Sequence, residues 1–130
     1  MNEGSDETWS WIAVRLIELP EKENVLAFLL ARIEIAANSF PNYVQALELL
    51  GDSKAAVAIA KKFESYKSRV AALTNASTPE SFSDCACFLS CCRALVRLVG
   101  SDEAEVALDS MQRFPDERVR AMARAMKSSE

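Results

Sequence analysis

Chain breakers are scarce in this sequence, and they fall where helices would end. Three glycines and four prolines in 130 residues leave too few tight turns for an all-β fold. Between them run alanine-rich segments studded with Leu, Ile and Val. In the segment after Gly51, Ala56, Ile59, Phe63, Tyr66, Val70 and Leu73 recur at spacings of three and four, which places them on one helical face. Val119, Met122, Ala123 and Met126 repeat that pattern near the end, and Trp9, Ile12, Leu16 and Leu19 near the start.

The punctuation predicts seven helices and no strand. Asp6 caps a helix that Pro20 stops after Leu19. A second helix runs over 21–37, with Glu21 and Glu23 in its dipole-favoured first turn. Ser39-Phe40-Pro41-Asn42 is a break, and a short helix then runs to Leu50, with Gly51 just beyond its end. Asp52 or Ser53 caps the next, which reaches Leu73. In "TNASTPE" a capping box places Ser77 at the N-cap and Glu80 three residues on. The helix that follows ends at Val99 before Gly100. Ser101 caps another to Arg113, Phe114-Pro115 interrupts, and the last spans 116–126.

The expected fold is therefore all-α: a compact bundle of six to seven helices, either orthogonal or built as two stacked helical units. One helical domain covers 6–127, between an acidic disordered tail at 1–5 and a short tail at 128–130. Sliding the sequence by 49 residues supports the two-unit version. It lays Gly51, Ala55, Val57, Ala58, Arg69, Val70 and Ala72 on Gly100, Ala104, Val106, Ala107, Arg118, Val119 and Ala121, with Ile59 on Leu108. Alanine-rich helices inflate such matches. "PDERVRAMARAM" resembles the second helix of a HEAT-type unit over residues 115–126 only, and identifies no family.

All four cysteines lie within "CACFLSCC", residues 85–92. At about 100° per residue, Cys87 and Cys91 fall about 40° apart and Cys85 and Cys92 about 20° apart, with the two pairs on opposite flanks of an apolar arc. A tetrahedral zinc site needs its thiolates converging on one point at roughly 2.3 Å, which one helix cannot supply from two flanks. There is no histidine, so neither a Cys-His catalytic pair nor an imidazole ligand can form. The spacing is not C-x-x-C. These cysteines read as small buried side chains, with a thiol-based redox sensor as an alternative that requires a reachable thiol.

No phosphate-cradling glycine loop, nucleophile elbow or zinc-protease motif occurs. Carboxylate pairs sit at helix starts, where dipole and capping explain them. The chain thus reads as a non-enzyme, with no cofactor, no metal and no small-molecule substrate. Its net charge is −4, which disfavours bulk attraction to nucleic acid or anionic membranes. No window approaches the roughly 18 apolar residues of a membrane span, and no basic-then-apolar leader opens the sequence. Clustered thiols are then expected to be reduced, as in a cytoplasmic protein.

Half of the residues are apolar, an excess that an interface would absorb. Trp11, Val14 and Arg15 lie away from the apolar stripe of the first helix, and an aromatic at a polar margin is a typical interface anchor. The favoured function is a non-catalytic protein-protein interaction module, such as an adaptor, inhibitor or small assembly subunit, bound to a protein partner or to itself as a homodimer. The alternative is a nucleic-acid-associated helical protein. Residues 53–73 carry a net +4, and Lys54, Lys61, Lys62, Arg69, Arg120 and Arg124 would line one basic ridge.

Overall fold

The computed structural model describes residues 22–35 and 40–128. Six helices form there and no strand: α1 (Lys22–Ile35), α2 (Phe40–Leu50), α3 (Lys54–Ala71), α4 (Pro79–Val99), α5 (Asp102–Met111) and α6 (Glu117–Ser128). The fold is an all-α bundle. The expected helix over 6–19, with Trp11, Val14 and Arg15, lies outside the described residues, as do both tails apart from Ser128. None of the described helices is long and apolar enough to cross a membrane.

The cysteine helix is the centre of the molecule. Helix α4 packs against α2, α3, α5 and α6, while α1 lies on α2 and touches α3. A helix surrounded in this way needs apolar side chains around most of its circumference. Cys85, Cys87, Phe88, Leu89, Cys91, Cys92, Ala94 and Leu95 are all buried. Small residues among them let neighbouring helices approach closely, and each large buried side chain contributes about 1.5–3 kcal/mol. Leu29, Ile33, Phe40, Tyr43, Leu47, Ile59 and Leu108 complete the core, all fully buried.

Helix ends differ from expectation for local reasons. The N-cap of α4 is Thr78, not Ser77: its Oγ1 accepts the Ser81 N–H at 3.0 Å. Pro79 decides this, because the residue before a proline is pushed out of the helical region. Thr78 is accordingly extended (ψ 155°), and Pro79 takes the first helical position, where its missing N–H costs nothing. Helix α2 begins at Phe40 inside the expected break, since Pro41 is equally tolerated in a first turn. Helices α3 and α5 stop two residues early. Their last turns tighten to i→i+3 bonds, as in Leu73 N–H to Val70 O and Arg113 N–H to Ser110 O. Helix α6 starts at Glu117, where the Asp116 carboxylate accepts the Arg118 N–H at 2.8 Å, and it runs on to Ser128.

One charged cluster is built into the packing. Glu48 of α2 is buried and accepts Arg93 Nε at 3.3 Å and Arg97 Nη1 from α4. Two guanidinium groups satisfy the carboxylate that burial would otherwise penalise. The cluster ties α2 to α4.

Candidate functional site

Three of the four thiols are placed by their neighbours against two different walls. Cys87 hydrogen-bonds with Tyr66 of α3, and Cys91 feels the charge of Lys62 on the same helix, while Cys85 feels Asp116 at the start of α6. All four are buried and free. Burial pushes Cys85 up to about 11, with Asp84 and Asp116 adding to it, and pushes Cys92 up to about 12. It raises Cys91 strongly, and raises Cys87 against the opposing hydrogen bonds of Tyr66 and Ser83. The nucleophilic form of cysteine is the thiolate, so near neutral pH these groups are protonated and shielded. Among the described residues no three His, Cys, Asp or Glu side chains gather into a metal-holding group.

The basic faces do not merge into one ridge. Helices α3 and α6 do not touch; each packs on α4 from its own side. Most of their cations are also countered. Lys62 pairs with Glu34 at 3.7 Å, and Arg69 pairs with Asp84 at 3.6 Å while its guanidinium lies 5.0 Å from the Tyr66 ring centre. Arg120 and Arg124 share Glu117 at 2.7 and 3.2 Å, and Arg120 also donates to the Phe114 carbonyl. The Arg120 hydrogen bond holds the Glu117 carboxyl below its ordinary range. Lys127 reaches back to Glu105 and Asp109 of α5. Of the six residues expected to form the ridge, Lys54 and Lys61 alone stand exposed without a carboxylate partner among the described residues.

The surface that stands out is apolar. A groove of about 490 Å³ runs between α3 and α5 above α4. Its floor is the pair Phe63 and Phe88, stacked with ring centres 5.2 Å apart. Val70, Val106, Ala107 and Met111 form its sides, and the Lys67–Glu103 ion pair at 2.9 Å crosses its rim. A second recess of about 320 Å³ continues from Phe63 and Glu103 along Val57, Ala60, Leu95 and Val99. Val57 and Val106 are each 65% exposed and Val99 is 53% exposed. Valine is a mediocre helix former because its branched Cβ loses rotamer freedom in a helix. Solvent-facing valines on α3 and α5 therefore gain nothing from burial and nothing from propensity.

Sequence reasoning passed over this groove. Val57 and Val106 fall beside the apolar stripes that form the core, and that offset was the available signal. Which flank of α3 turns toward α5 is set by how both pack on α4, and helical periodicity does not carry that information.

A smaller recess of about 230 Å³ lies where Glu48, Ser90 and Arg93 meet the end of α6. Its buried polar groups already have partners, Ser90 Oγ donating to the Ala86 carbonyl at 2.9 Å and Glu48 accepting the two arginines. Comparison with protein-family models, with curated proteins and with solved structures returns no match for this chain.

Proposed function

We propose that this chain is a non-catalytic protein-protein interaction module, an adaptor or small assembly subunit that docks a partner across the α3–α5 groove. The observation that carries the reading is the continuous apolar surface from Val57 and Val99 to Val106 and Ala107, open to solvent and floored by two stacked phenylalanines. Apolar patches of this kind, rimmed by charge, are where proteins meet. The thiols that nucleophilic or redox chemistry would need are protonated in the core. Association with nucleic acid is the weaker reading, because carboxylates counter most of the basic faces and phosphate contacts require free cations. A thiol sensor is weaker still, since oxidation needs access to a thiolate.

A photo-crosslinking amino acid placed at Val106, in the full chain expressed in its own cells, tests this. The expected result is an adduct with one defined polypeptide, absent when the same group replaces the exposed Ala125 on α6. No adduct at Val57, Val99 or Val106, or the same scatter of adducts at all four sites, overturns the reading.

A further inference from the structure

The two walls of the groove carry opposite charge. Helix α3 belongs to a segment of net +4, whereas α5 has four carboxylates and no cation. A partner surface of one sign would be drawn to one wall and repelled by the other. The surface that answers both walls is one with the same two stripes exchanged, and a two-fold rotation of this face provides it. Isologous interfaces require this self-complementarity.

The pattern is finer than net charge. On α3 the exposed Val57 has Lys54 three residues before it and Lys61 four residues after, on the same helical flank. On α5 the equally exposed Val106 has Asp102 four residues before it and Asp109 three residues after. Laying Val57 over Val106 brings each lysine opposite an aspartate, or within one position of it, whichever way the two helices run. Laying α3 over α3 instead stacks lysine on lysine, so the charges also select against the wrong register. Among the described residues, Lys54 and Lys61 are the basic-face residues that lack a carboxylate partner. Asp109 also accepts Lys127 at 3.2 Å and would be shared.

From this we infer that the occupant of the groove is a second copy of this chain, in a two-fold dimer with α3 of each copy along α5 of the other and Val57 seated on Val106. The inference rests on the interaction reading above and names its partner.

The test is charge reversal with mutual rescue. Sedimentation from low to high micromolar concentration is compared for the wild type, K54E/K61E, D102K/D109K and an equimolar mixture of the two variants. All four positions are exposed, and circular dichroism checks that each variant keeps its helices. The wild type is expected to dimerise, and each variant alone to weaken roughly tenfold or more, because both copies of the contact become repulsive. The mixture is expected to recover a heterodimer near wild-type affinity, since reversed lysines then face reversed aspartates. A wild type that stays monomeric throughout, variants that dimerise unchanged, or a mixture that does not recover each overturns the inference. If the wild type is monomeric while the Val106 crosslinker captures a different polypeptide, self-association fails and the interaction module stands. If neither occurs, both fail.

Discussion

Gly51 and Gly100 each close a helix in the left-handed region, at φ 75° and 61°, and each is followed within three residues by a helix that packs on α4. For about two turns the two regions place corresponding residues in the same surroundings. Ala55 and Ala104 are fully buried, Ile59 and Leu108 are fully buried, and Val57 and Val106 are equally exposed. They then separate. Helix α3 continues for 18 residues to Ala71, whereas α5 ends after 10 at Met111, ahead of Pro115, and the chain turns into α6. Shared ancestry is not needed to explain the likeness. A glycine-capped helix that meets the side of another requires a small residue where the backbones approach and a large apolar one a turn later. Charge escapes that requirement, and there the regions are opposite: lysines flank Val57 and aspartates flank Val106. Packing fixes the apolar positions and leaves the surface free to encode what binds.

The strongest way to break this comparison is through its buried members. Ile59→Ala and Leu108→Ala each remove a fully buried side chain from beside α4, and each is expected to cost about 2–5 kcal/mol, read from urea midpoints. Comparable losses mean that both helices are anchored by the same core. A loss under about 1 kcal/mol for Leu108→Ala alone would mean that α5 is held by its charges and turn rather than by packing.

The thiols sharpen the comparison from the side of α4. Cys87 and Cys91 lie under the first region, and Cys85 lies beside the start of α6, beyond the second. Folded, these groups keep protons that the unfolded chain releases above its ordinary value of 9.0, up to about 11 for Cys85 and about 12 for Cys92. The folded state therefore binds more protons across that window, so stability is full below pH 9 and falls as pH rises through it. Ultraviolet thiolate absorbance of the native protein should stay flat to pH 9, while the urea-unfolded chain already titrates there. A native thiol that ionises with the unfolded ones would show that one flank of α4 is open.

How far the sequence discloses these features follows from their range. Helix class and most boundaries depend on neighbours within four residues, so breakers and caps reveal them. Thr78 in place of Ser77 is equally local, and the rule that proline excludes its predecessor from the helix already decides it. The two flanks of cysteines follow from one helix's geometry and needed no partner. Surface charge is different in kind. Lys67 meets Glu103 and Lys127 meets Glu105 across 36 and 22 residues, so counting cations along α3 and α6 overstates how basic either face is. The groove is the least legible feature, because it exists only between helices, and its exposed valines resemble stray core residues until both flanks are placed.

The smallest effect concerns the glycines themselves. A Cβ added at Gly51 or Gly100 would meet nothing within 4 Å, so Gly51→Ala and Gly100→Ala incur no clash, only the strain of a side chain at positive φ. That strain is about 1 kcal/mol at each position, and Gly→Asn should recover part of it, because asparagine tolerates the left-handed region. Gly100 is expected to be the more sensitive of the two. Its turn directs two N–H groups back onto α4, Gly100 to Val96 at 2.9 Å and Ser101 to Leu95 at 3.3 Å, whereas Gly51 makes one such bond to Leu47 at 3.2 Å. Thermal unfolding of the four variants measures this directly. Losses at Gly100 that Asn relieves would place the cost in the backbone conformation. A loss that Asn leaves unchanged would place it in the approach of α5 to α4, and the two turns would then be alike in geometry but not in what they carry.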